Sequence, residues 1–121
     1  MSIYTDMIGY IEVHGIGKGH ITPQKDDPCC ILGVKKQVTS NAEWYRSAYN
    51  VDDAMELAEL CKKYMPTKAL DSLKDIYGAD LSRLSPDQWV YNYNDMVINT
   101  DKDHAIRLLE EAEKLRIKKS V

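Results

Sequence analysis

Ser85-Pro86-Asp87-Gln88-Trp89-Val90-Tyr91-Asn92-Tyr93-Asn94 is the stretch on which the fold turns, because its two halves carry signals that disagree. The first half has the form of a capping box: Ser85 at the N-cap, Pro86 at the first helical position, and Gln88 placed to reach back. The second half alternates aromatic with other residues, as a strand does. The reading that reconciles them is a short helical turn running into an extended segment, with Met96 to Asn99 continuing as a strand. On an extended backbone Trp89, Tyr91 and Tyr93 share one face, and Asn92 and Asn94 point the other way.

Working outward, the same period of two appears upstream. Ile8 to Val13 reads as a strand, with Ile11 and Val13 on one face. Gly15, Gly17 and Gly19 then interrupt it and suggest a hairpin tip. Residues 22–28 are polar and loop-like. Ile31 to Val38 is a second strand expectation, followed by turn chemistry at Thr39, Ser40 and Asn41. Glu43 to Tyr49 is a third, with Tyr45 and Tyr49 on one face and Trp44 and Arg46 on the other.

Three segments have helical spacing instead. After a cap at Asn50 or Asp52, the line Ala54, Ala58, Cys61 and Met65 is widened by Leu57, Leu60 and Tyr64, and Pro66 ends it. Thr67 to Tyr77 forms a second helix, with Leu70, Leu73 and Ile76 inward and Gly78 as the stop. Thr100 to Asp103 caps a last helix that buries Ala105, Leu108, Leu109, Ala112 and Leu115. Asp103–Arg107 and Glu110–Lys114 are i,i+4 pairs on its outer side. The expected fold is therefore α+β: residues 1–121 as a single domain, a small mainly antiparallel sheet of three or four strands, and three helices packed on one face.

Composition bounds the function. The chain has 121 residues and a net charge of -3, and a pI near 5.6. That balance argues against direct nucleic-acid binding, which needs a basic surface. No apolar run approaches a membrane span. The odd count of three Cys, with Cys29 and Cys30 adjacent, fits a reducing, cytoplasmic location better than a disulfide framework. Eight Tyr and two Trp stand with no Phe. Tyr and Trp carry a polar handle, so the bias favours half-wet surfaces and interfaces.

Four local patterns bear on chemistry. His14 to Thr22 holds three glycines around Lys18, a loop that could cradle phosphate, but no convincing helix follows it. His20-Ile21-Thr22 has the H-x-T form of two-histidine phosphoesterases, and the second motif such enzymes need is missing. His14, His20 and Cys29 or Cys30 form a loose zinc set without tight spacing. Asn99, Asp101, Asp103, Ile106 and Glu110 follow the rhythm of a calcium loop, with His104 where that loop requires Gly. Helix-capping acids explain the same residues. No metal and no cofactor is expected.

No family is recognised in these residues. The expectation is a non-catalytic binding protein, a small intracellular inhibitor or regulator of accessory or phage type, docking on a larger protein partner. Its binding face would comprise Arg46, Trp89, Tyr91, Tyr93 and Tyr45. The alternative is a binder or hydrolase of a small phosphorylated or nucleotide ligand, held by Lys18 and His20. A homo-oligomer is compatible with either. Chelator treatment should leave the thermal unfolding curve in place, because the His and Cys spacing lacks a closed ligand set; stoichiometric zinc or calcium by elemental analysis would overturn that expectation.

Overall fold

The computed structural model describes residues 3–17, 30–39 and 55–119. These form six α-helices: α1 (Ile3–His14), α2 (Ile31–Thr39), α3 (Met55–Tyr64), α4 (Thr67–Tyr77), α5 (Pro86–Tyr93) and α6 (Lys102–Lys119). A 3-10 turn (Leu81–Arg83) precedes α5, and a π turn (Asn94–Ile98) follows it without a break. Among the described residues there is no strand. The expected α+β fold, with its sheet and three helices, is corrected to a helical one.

Burial shows why the period of two misled. A strand over 8–13 would place Ile11 and Val13 on the same face. In α1, Ile11 is fully buried and Val13 is exposed. The buried side chains are instead Tyr4, Met7 and Ile11, at helical spacing. In α2, Ile31, Val34 and Lys35 are buried and Val38 is half-buried, which is again helical spacing rather than alternation. β-Branched residues lower helix propensity only slightly, and a packed face outweighs that preference. The strand expected at 43–49, with Tyr45 and Arg46, lies outside the described residues.

The capping signal prevails in the decisive stretch. Gln88 N–H donates to Ser85 Oγ (3.2 Å), and Ser85 N–H donates to Gln88 Oε1 (2.8 Å), closing the box. From there the helix continues through Tyr93. Met96 to Asn99, expected as a strand, falls in and just after the π turn, where Asn99 N–H bonds Asn94 O at 2.9 Å.

The helices whose bounds were expected from sequence owe their ends to local chemistry, although Ile76, expected to face inward on α4, is exposed and only Leu73 of that helix is fully buried. α4 runs between an extended Pro66 (φ -64°, ψ 153°) and Gly78 (φ 99°), whose N–H bonds Lys74 O. The start of α6 is held by Asp101 Oδ1, which accepts from His104 N–H at 3.2 Å. Its buried face is Ala105, Leu108, Leu109 and Ala112, with Leu115 half-buried. Of the glycines expected to form a hairpin tip, Gly19 lies outside the described residues, and Gly15 and Gly17 follow a helix rather than a strand. Gly15 (φ 80°) stops α1, Ile16 is buried, and Gly17 O accepts a hydrogen bond from Asn94.

α1 packs against α6 and α2, while α3 packs against α5 and α6. The core between them is apolar: Met7, Ile11, Ile31, Leu57, Cys61, Val90 and Leu109 are essentially inaccessible. Burying a side chain of this size stabilises by about 1.5–3 kcal/mol. No helix of the described residues is long and apolar enough to cross a membrane.

One buried polar side chain ties three segments together. Asn94 is completely buried. Its Oδ1 accepts from Ile31 N–H (3.0 Å), and its Nδ2 donates to Gly17 O (3.1 Å) and Asp95 Oδ1 (3.0 Å). Ile31 N–H opens α2 and has no partner within that helix, so Asn94 acts as a cap supplied from a distance. Each buried polar group left unpaired costs about 1–3 kcal/mol. Asn94→Ala should therefore lower unfolding free energy by about 2–4 kcal/mol in urea titration. Asn94→Asp keeps the acceptor and loses the donor, and should be less stable at pH 7 than in acid. An Asn94→Ala variant as stable as the parent would remove this interaction from its central place.

Candidate functional site

The π turn carries Met96 and Val97 outward between two clefts. The first, of about 580 Å³, is lined by residues of α3, α5 and α6, among them Tyr64, Tyr93, His104, Arg107 and Lys114. The second, of about 590 Å³, lies beside the start of α4 and includes Pro66, Ser72, Met96 and Asn99. Val97 lines both. Volumes in this range suit a small ligand or the side chains of a docked partner.

At the floor of the first cleft, Tyr93 OH lies 2.9 Å from His104 Nε2, and the rings meet edge to face at 5.7 Å. This contact joins the last residue of α5 to the first turn of α6. Either the phenol donates to a bare Nε2, or it accepts from a protonated one. Burial pushes the Tyr93 hydroxyl up to about 12, and the nearby Cys61 thiol and Glu111 carboxylate push the same way. Tyr93 is consequently a neutral phenol at any physiological pH. Cys61 is buried in the adjoining core, and desolvation raises its thiol well above the usual range, which keeps it un-ionised and unreactive.

The rim is mixed in charge. Arg107, Glu110, Glu111 and Lys114 are exposed along α6. Tyr64 OH donates to Glu111 Oε1 at 3.0 Å across from α3. The i,i+4 pairs expected at Asp103–Arg107 and Glu110–Lys114 do not close to ion-pair distance; among the described residues the ion pairs are Arg83–Asp80, Arg116–Glu113 and Lys119–Glu59. The cations at the cleft mouth are thus left facing solvent.

The residues singled out from sequence are distributed differently from the expected face. Trp89 is 6% exposed and Tyr93 2%, and both belong to the core. Lys62 Nζ sits 5.8 Å from the Trp89 ring centroid. One turn apart on α5, Trp89 and Tyr93 share a helix face, and Tyr91 is rotated away from them. Tyr91 OH meets Tyr77 OH of α4 at 3.0 Å, and Asn92 Nδ2 donates to that same Tyr77 hydroxyl at 3.2 Å. Arg46, Tyr45, Lys18 and His20 lie outside the described residues. His14 is half-buried, with its ring 4.5 Å from Tyr10. No group of three or more metal-ligating side chains occurs among the described residues.

Sequence reading missed His104, Arg107 and Tyr64 at the first cleft and Met96 at the second. His104 and Tyr93 are eleven residues apart, with the π turn and the start of α6 between them. No spacing motif encodes such a pair. Compared with family models, curated proteins and solved structures, the chain gives no significant match.

The raised tyrosines make a testable link to pH. Tyr93 and Tyr91 move from 10.0 to about 12 on folding, both mainly through burial. Above pH 10 the unfolded chain releases these protons while the folded chain retains them, so stability falls as pH rises. Below pH 10 the contribution is fully present. A single tyrosine accounts for at most about 1.4 kcal/mol per pH unit in that window. Urea titrations from pH 9 to 12 should show the decline, and Tyr93→Phe should make it shallower. An identical slope in Tyr93→Phe would contradict the assignment.

Proposed function

We propose that this is a non-catalytic binding protein, a small regulator or inhibitor that docks on a larger protein partner through the surface around Val97. Support comes from the kinds of side chain exposed there. Tyr64 is 40% exposed at the first cleft and Met96 36% exposed at the second. Arg107 stands on the first cleft's rim without an ion-pair partner among the described residues. Tyr, Met and Arg are the residues enriched where proteins bind one another. A concave floor ringed by mixed charge allows an anchor side chain to be desolvated while the rim sets register. A cytoplasmic location accords with this reading and with the odd count of three Cys.

Affinity capture with the untagged protein, followed by titration of the captured partner, tests the proposal. At a hot spot, truncation costs about 2 kcal/mol or more, close to a 30-fold loss of affinity. Tyr64→Ala, Met96→Ala and Arg107→Ala should each weaken binding; Met96→Ala and Arg107→Ala should shift the melting temperature little, because both side chains are accessible, whereas Tyr64→Ala also removes the hydrogen bond to Glu111. Ile76→Ala, on an exposed part of α4, should leave affinity unchanged. Full binding by all three cleft variants would reject this surface.

A further inference from the structure

The segment joining the two clefts is strained. Asn99 and Thr100 follow the π turn with φ of 46° and 68°. Asn tolerates the left-handed region, whereas Thr is branched at Cβ and rarely occupies it. Both residues are exposed, so packing of their side chains does not hold them there. The constraint comes from either side. Upstream, Asn94 is fixed by its bonds to Ile31 and Gly17. Downstream, Tyr93 OH holds His104, and Asp101 N–H bonds Ile98 O at 2.9 Å. A five-residue π turn is one residue wider than the α-helical ladder on which it sits. Taking up that residue would shift the Asn99 N–H bond from Asn94 O to Asp95 O and release the two left-handed residues. It would also turn Val97 about the helix axis.

We propose that the π turn is a two-state wall. It exchanges between the wide form described above and a tighter α-helical form in which Val97 moves away from one cleft and into the other. An occupant of either cleft then biases its neighbour, because both use Val97 as a side. The exchange requires no partner; the bias between clefts rests on the docking reading. Such a wall stores strain beside a binding surface, and local rearrangements of this kind run in microseconds to milliseconds.

Methyl relaxation dispersion on the free protein reads the exchange directly. Met96, Val97 and Thr100 methyl groups should show it, with Leu73 and Ala112 in the core flat. Thr100→Gly relieves the left-handed strain of the wide form, so it should lower the minor population by about five-fold, the factor that ~1 kcal/mol of relieved strain gives. Asn99→Gly serves as the second variant if Thr100→Gly does not fold. Ser72→Trp, placed to fill the second cleft, should displace His104 ring resonances in the first. Flat profiles at Met96 and Val97, or exchange insensitive to both glycine variants, would overturn the two-state wall. Ser72→Trp shifts confined to the second cleft would overturn the coupling. None of these measurements uses a partner, so they can fail while Tyr64→Ala and Arg107→Ala still abolish docking, and the reverse holds equally.

Discussion

The architecture depends on the hydrogen bonds of one buried amide. Asn94 has two donors and an acceptor engaged at once: Gly17 O, Asp95 Oδ1 and Ile31 N–H. Those partners belong to the stop after α1, the π turn itself and the first residue of α2. An apolar residue at this point would leave buried backbone groups unpaired, and a charged one would be desolvated without a counter-ion. The interaction also explains why α5 does not simply end at Tyr93. Anchoring Asn94 sets where the helix must widen, and the widening carries Met96 and Val97 to the surface.

The tyrosines complete the frame. Tyr4 OH of α1 donates to Glu56 Oε1 (3.1 Å) and accepts from Leu57 N–H (3.4 Å), serving the open first turn of α3. Tyr77 and Tyr91 join α4 to α5, Tyr93 joins α5 to α6, and Tyr64 joins α3 to α6. Phenylalanine could fill the same volumes and could make none of these bonds. A helical protein with short elements has few backbone links between them, since helix hydrogen bonds stay within each helix. Side-chain hydroxyls supply directional links that apolar packing alone lacks. Lys102 Nζ does similar work from α6, reaching Glu12 O near the end of α1 at 2.9 Å.

These links bear on the proposed surface. Where Tyr93 and His104 close the floor of the first cleft, the hydrogen bond that holds two helices together also shapes a concavity. The floor is then rigid, and the exposed rim cations Arg107 and Lys114 adapt to a partner. Binding surfaces made this way combine a fixed pocket for an anchor with side chains that adjust around it.

Local chemistry was enough to place α4 between Pro66 and Gly78, the capping box at Ser85, and the buried stripe of α6. Each of those signals acts within one turn, so neighbours in sequence are neighbours in space. The alternation at 8–13, 31–38 and 89–94 was ambiguous by itself, because Tyr, Ile and Val suit either structure and the packing decides. Ile11 buried beside an exposed Val13 is a fact about α6 and α2 lying against α1, and no window within α1 contains it. The candidate site is further from the sequence still. Val97 lines both clefts from a turn that begins at Asn94, and Asn94 is held by residues more than sixty positions away. Tertiary structure alone brought Tyr93 to His104 and Tyr64 to Glu111, since the π turn separates the first pair, and α4, α5 and the π turn lie between the second.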